Sequence, residues 1–269
     1  MIYVRILVTV PNAEHFDACT LCFDSIRTGF PTADLHVTIN GHSQCKDQTV
    51  AKAEAVGAQV QTLVGPIHHA AWIRDQVLYR NFDGPLVILD ADTVFWKSCE
   101  GWEFPKPTLW AGYCVPSMWN DFAGCPSMPR LHTSFMWFPD VAGLRAAIRA
   151  GYPQAHKRHG EYCPCDPFMP TVQFLYGKPV FWDTCANLYG MLSYPEPRIY
   201  AFEPAHLECY DHLNSAAFYD VMLERLTGDK EGFAYVHRFA VREPEKLRNL
   251  WPCVNRYYED RAQDLRLLS

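Results

Sequence analysis

Between Tyr3 and Asp90 the chain alternates short apolar runs with longer segments of helical spacing, and this alternation limits the fold more than any other feature. Tyr3 to Val10 reads as a buried strand that ends at Pro11-Asn12. Ala13 to Thr28 sets Phe16, Cys19, Cys22, Phe23 and Ile26 near helical spacing and is stopped by Gly29 and Pro31. Leu35 to Ile39 predicts a second strand ending in Asn40-Gly41, Gln48 to Val56 a helix closed by Gly57, and Gln59 to Val64 a third strand closed by Gly65-Pro66. His69 to Asn81 predicts a third helix, after which Gly84-Pro85 opens the run Leu86-Val-Ile-Leu-Asp90. Strands separated by helices bury both faces as a parallel sheet with right-handed crossovers, so the fold class expected is α/β, Rossmann-like, with a mostly parallel sheet flanked by helices. Ligands in such sheets gather beyond the carboxyl ends of the strands, where Asn12, Asn40 and Asp90 all fall.

Past Trp96 the texture changes. Glu103 to Pro107, Cys114 to Trp119 and Cys125 to Pro129 are rich in proline and aromatics without a clean period, and predict irregular, ordered loops. Leu131 to Phe138 returns to strand character, and Val141 to Ala150 reads as a helix stopped by Gly151. A short helix is expected over Thr171 to Tyr176, a strand around Pro179 to Trp182, an amphipathic helix over Ser215 to Leu226 and a strand over Phe233 to Phe239. A charged, mostly helical tail follows from Glu243 to Leu268. The expected organisation is a first half over 1–115, a second half over 116–242 within the same domain, and a tail over 243–269.

Composition narrows the function classes. With 24 basic and 30 acidic residues the formal charge is −6, which argues against a broad phosphate-neutralising surface and makes long nucleic acid a minor partner. The N-terminus carries neither a long apolar segment nor a cleavage site, and no run approaches spanning length, so a cytoplasmic protein without a transmembrane segment is expected. The 11 cysteines are odd in number and scattered, which fits reduced thiols better than a disulfide framework. Cys19 and Cys22 sit in a helical stretch and read as core. His156, His159, Cys163 and Cys165 crowd one segment and offer zinc ligands, although Cys163-Pro-Cys165 is tighter than the usual zinc spacing.

The chemistry concentrates at Asp90-Ala91-Asp92. Side chains two apart in extended backbone point to one side, so both carboxylates face a common ligand while Ala91 faces away. Two acids closing an apolar strand repel each other unless a cation joins them, which favours a metal or phosphate address over a capped turn.

A strand ending in Asp90-Ala-Asp92, preceded by βα alternation and a helix containing Arg74-Asp75, resembles the DxD motif of GT-A fold glycosyltransferases. Asp166, then Gln173-Phe-Leu-Tyr-Gly177, Trp182, Asn187 and Tyr235-Val-His237, is similar to the retaining glycogenin and galactosyltransferase-like group. The likeness runs from Tyr3 to about Phe239. Two departures stand out: glycine, lysine and proline do not follow His237, and Pro167 rather than glutamine follows Asp166.

The resemblance implies a GT-A fold with a loop-rich acceptor half and a hexosyl- or pentosyltransferase using a nucleotide-sugar donor, a UDP-sugar in that group, with retention. It implies manganese or magnesium held by Asp90, Asp92 and His237, and Asp166 and Gln173 as catalytic candidates at the transferred sugar. The nucleotide contacts it implies are Val10, Asn12, Asn40, Arg74, Asp75, Asp90, Ala91, Asn187, Arg238 and Arg242, with Lys178 a further cation for the leaving group. Plainer readings stand beside these: Asp166 as a cap ahead of Phe168, His237 as a satisfied core residue, and Arg74 with Asp75 as an exposed ion pair. Trp119 or Trp137 could line an acceptor groove or belong to the core. The acceptor, whether glycan, lipid, protein or modified nucleic-acid base, has no code in the sequence. A non-catalytic nucleotide- or glycan-binding module and a nucleotidyltransferase are the alternatives; the lack of a glycine-rich loop near Val8 to Ala13 weighs against the latter.

Overall fold

A computed structural model describes residues 1–10, 13–41, 43–115, 117, 119–120, 125–151, 166–175 and 178–212. The first half forms as its periodicity predicts: β1 (Tyr3–Val8), α1 (Ala13–Gly29), β2 (Asp34–Ile39), α2 (Lys46–Ala55), β3 (Gln59–Thr62), α3 (His69–Tyr79) and β4 (Leu86–Asp90). The second half contributes β5 (Thr93–Phe95), β6 (Trp110–Val115), β7 (Trp119–Asn120), β8 (Cys125–Pro126), β9 (Arg130–Phe138), α4 (Val141–Gly151), β10 (Thr171–Leu175), β11 (Lys178–Trp182), α5 (Ala186–Ser193), β12 (Ile199–Ala201), α6 (Pro204–Leu207) and β13 (Tyr210–His212).

Seven strands make one sheet in the order β12-β6-β9-β4-β1-β2-β3. The pairs β2–β3, β1–β2, β1–β4 and β6–β12 are parallel, whereas β9 runs antiparallel to both β4 and β6. The fold is therefore a mixed, mostly parallel α/β sheet flanked by helices. β6 and β9, from either side of residue 116, lie in this same sheet.

Strand parity divides the core and aims the site. Val87 and Leu89 of β4 pack with Cys22, Phe23 and Ile26 of α1, while Leu86 and Ile88 pack on the opposite face with Trp72, Ile73 and Val77 of α3. Ala91 continues the first parity and packs against the α1 side, so Asp90 emerges toward α3. Register then brings the strand ends together, because Leu7 pairs with Asp90 and Val8 with Ile39. Since β9 is antiparallel, with Leu89 opposite Phe135, its first residues run past the end of β4 and over this edge.

Two expectations are corrected. Thr171–Leu175 is a strand, not a helix, paired antiparallel with β11 from Thr171–Trp182 to Leu175–Lys178. Its five residues Thr-Val-Gln-Phe-Leu are rich in strand formers, and cross-strand pairing with Lys-Pro-Val-Phe-Trp outweighs a single helical turn. Trp110–Val115, whose last two residues fall in a stretch expected as irregular loop, is a strand of the central sheet; Trp110 and Ala111 are fully buried, and the prolines around this short run masked it. Of the two readings open for Trp137, the core one holds: it is buried against Phe30, Trp102 and Phe104.

The expected elements over residues 215–226, 233–239 and 243–268, and the histidine and cysteine segment 156–165, lie outside the described residues. The described cysteines are free thiols. Among the described residues no helix is long and apolar enough to cross a membrane.

Candidate functional site

β4 delivers Asp90 at the sheet edge, and a two-residue turn through Ala91 and Asp92 leads into β5. β5 pairs antiparallel with β13, with Thr93 opposite His212. That register places the His212 imidazole beside both acids: its Nε2 lies 3.1 Å from Asp92 Oδ1 and 3.7 Å from Asp90 Oδ2. One donor atom from each of Asp90, Asp92 and His212 falls within 4.8 Å of the others. From α3, His69 Nε2 approaches the other oxygen of Asp90, Oδ1, at 3.4 Å.

The electrostatics mark a site short of positive charge. Burial raises the Asp90 carboxyl above its ordinary value, Asp92 adds to the rise, and the two histidines only partly oppose it. Burial pulls the His212 imidazole down, but the charge of Asp92, the hydrogen bond to it and the charge of Asp90 together outweigh burial and leave it raised. Asp92 and His212 are 9% and 7% exposed, so water screens them little. Two carboxylate oxygens and one imidazole nitrogen, clustered and desolvated, suit a divalent ion that has vacant positions for phosphate oxygens.

His132, near the start of β9, overhangs the cluster with its ring centroid 5.2 Å from that of His212. The Ser134 amide donates to its Nδ1 at 3.1 Å, and the Ser134 hydroxyl lies 2.8 Å from the same atom. A backbone N–H can only donate, so Nδ1 is an acceptor and the neutral ring carries its proton on Nε2. Burial, His212 and Arg130 push this imidazole down to about 3, which keeps it neutral. His132 is thus a neutral N–H donor rather than a metal ligand.

Farther along α3, Arg74 Nη1 meets Asp166 Oδ2 at 2.8 Å. Asp166 is buried, and its Oδ1 accepts the Phe168 amide at 2.9 Å, so the carboxylate caps that turn and pairs with Arg74 at once. Arg74 also contacts the more exposed Asp75 at 3.4 Å. Asn40, buried, bridges the strand-end loops: its Nδ2 donates to Thr9 Oγ1 and to the Ile67 carbonyl, and its Oδ1 accepts from the amides of Gly41 and Ile67. All four side-chain bonds go to the protein, a tethering role that leaves little for a nucleotide. Val10 is buried, and its amide donates to Ser43 Oγ at 3.1 Å.

Asn187 is the second residue of α5 and is buried, Lys178 opens β11, and Gln173 lies on β10 opposite Val180. Asn12, His237, Arg238 and Arg242 lie outside the described residues. Sequence reasoning passed over His69, His132 and His212. The local signal for His212 is slight, an extended run Cys209-Tyr-Asp-His212, and none marks the other two.

Fold and site together define an α/β protein with an Asp-X-Asp turn and a histidine at the carboxyl edge of a mostly parallel sheet. No protein-family model matches the chain, and no curated protein matches it. Among solved structures the chain is similar to the bifunctional glycosyltransferase WbbM in its apo form, with TM-score 0.46 and 13% identity over 75% of this chain and 38% of that one. It is also similar to the mannosyltransferase PcManGT from Pyrobaculum calidifontis in complex with GDP-Man and Mn2+, with TM-score 0.40 and 11% identity over 98% of this chain and 80% of that one. A third likeness is to 4-diphosphocytidyl-2C-methyl-D-erythritol synthase from Anaerococcus prevotii, with TM-score 0.39 and 9% identity over 60% of this chain and 78% of that one. These three scores lie below 0.5, and the chain spans well under half of WbbM. The functional reading therefore stands on the site.

Proposed function

We propose that this protein is a metal-dependent glycosyltransferase of GT-A type that moves a sugar from a nucleoside-diphosphate donor, a UDP-sugar by the likeness of its motifs, to an acceptor with retention. The observation that carries the reading is the clustering of Asp90, Asp92 and His212 donor atoms within 4.8 Å at the carboxyl edge of β4.

The donor set fits a divalent ion: two hard carboxylates with one imidazole suit Mn2+, with Mg2+ the alternative. When bound, the ion supplies Lewis-acid charge to the departing diphosphate. Asp90, Asp92 and His212 hold it, with His212 in the role that the sequence suggested for His237. His132 offers a neutral Nε2–H to a developing anion without a change in its own charge. Arg74 and Asp166 form a rigid charged wall: Arg74 pins Asp166, and the pair orients the transferred sugar. Free thiols among the described cysteines support a reducing, cytoplasmic setting.

Incubation with a panel of nucleotide sugars and Mn2+ should release nucleoside diphosphate, and Asp92→Ala should abolish the release. Equal behaviour of wild type and variant defeats the proposal. Pyrophosphate from a nucleoside triphosphate and a sugar phosphate would instead mark a nucleotidyltransferase, and tight nucleotide binding without turnover a binding module.

A further inference from the structure

Asp90 is gripped from two sides by different imidazoles: His212 Nε2 lies 3.7 Å from Oδ2, and His69 Nε2 lies 3.4 Å from Oδ1. The two histidines come from segments far apart along the chain, His212 closing β13 and His69 opening α3. His69 stands outside the clustered trio of donors. Its Nε2 is sealed from solvent yet makes no geometrically complete hydrogen bond, and its ring is held by stacking on Trp72, at 6.4 Å between centroids and 26° between planes. A buried imidazole nitrogen is costly without a partner, and the atom it faces is a carboxylate oxygen. Two bare lone pairs at this separation would repel, so the proton belongs on Nε2. A small side-chain adjustment then turns the 3.4 Å approach into an N–H···O⁻ hydrogen bond.

We propose that His69 is a positioning residue for the cation site, which donates to Asp90 Oδ1 and thereby leaves only Oδ2 to face the ion. This rests on the reading of Asp90, Asp92 and His212 as a divalent-cation site. Its consequence is selectivity. Calcium, with ligand distances of about 2.3–2.6 Å and six to eight ligands, readily takes both oxygens of a carboxylate, whereas small ions bind at about 2.0–2.1 Å and favour single-oxygen ligation. With Oδ1 held by His69, Asp90 offers one oxygen, so the site favours Mn2+ or Mg2+ and disfavours Ca2+. Removal of a partner that orients a metal ligand weakens metal binding roughly 10- to 100-fold.

The test titrates Mn2+ alone into the purified protein, follows the loss of the free-ion electron paramagnetic resonance signal, and then competes with Ca2+. His69→Phe keeps a ring over Trp72 but has no N–H, and His69→Gln restores an amide donor. The expected result is roughly 10- to 100-fold weaker Mn2+ binding in His69→Phe, a matching rise in the ability of Ca2+ to compete, and recovery of most of the Mn2+ affinity in His69→Gln. His69→Met replaces the Phe variant should thermal unfolding show that the ring perturbs the fold. If Asp92→Ala loses Mn2+ but His69→Phe binds both ions like wild type, or if His69→Gln binds no better than His69→Phe, the positioning role is wrong. If Asp92→Ala itself still binds Mn2+ like wild type, the cation site fails, and the inference fails with it.

Discussion

Arg74 and Asp166 meet at 2.8 Å with little access to water. Arg74→Ala strands a buried carboxylate and should lower stability by about 3 kcal/mol in urea unfolding, more than an exposed pair would cost. Asn40→Ala removes four hydrogen bonds between strand-end loops and should cost about 2 kcal/mol, measured the same way. A pH effect sits on β2, where burial first, then Arg5 and Arg80, lower the His36 imidazole from its usual 6.5. Because the folded value lies below the unfolded one, stability is complete above pH 6.5 and declines as the pH falls below it, when unfolding takes up a proton. His36→Gln should flatten the stability profile between pH 7 and 5, by less than about 1 kcal/mol because the ring is only partly buried and is screened by water. At this scale the Asp90-Ala91-Asp92 pair was legible, since it needs only neighbouring residues at a strand end, although a turn rather than strand parity sets Asp92. So was Asp166 as a cap ahead of Phe168; the bridging role of Asn40 and the pairing of Asp166 with Arg74 were not, because a side chain's distant partners depend on which loops fold beside it.

The element that brings the site together is the β5–β13 ladder, and its support is a close approach from the end of α1. A Cβ on Gly29 would stand 2.5 Å from the Phe95 ring, so the glycine lets α1 close down on β5. Gly29→Ala should destabilise the fold by about 1–3 kcal/mol and also weaken Mn2+ binding, because displacing Phe95 shifts the strand that follows Asp92; calorimetric titration of the metal checks it. The elements with clean periods, from β1 to β4 and again β9 and α4, were readable from sequence alone. β10 and β6 were not. In the first, a short apolar run fits a helical turn as well as a strand until β11 pairs with it; in the second, a strand buried on both faces over Trp110–Gly112 carries no alternation there.

Taken whole, the molecule is a sheet whose central strands β1 and β4 are buried on both faces, with the site hung from one edge. Leu89→Ala, at a fully buried position of β4, should cost about 3 kcal/mol through the cavity it leaves. At the proposed cation site metal binding would be coupled to folding, since the donors come together only when β4 and β13 are in place. Mn2+ at 100 times its dissociation constant should therefore stabilise the wild type by about 2.7 kcal/mol in thermal or urea unfolding, and Asp92→Ala should remove the gain.

By itself the sequence determined the α/β alternation, the carboxyl edge of the sheet and the acidic pair that stands there, because each is a property of residues close along the chain. Only the tertiary structure decided what surrounds that pair. His212 reaches Asp92 through the pairing of β13 with β5, His132 through an antiparallel strand that overruns β4, and His69 through the seating of α3 on the sheet. These are contacts between segments far apart along the chain, set by register and packing, and no local period encodes them.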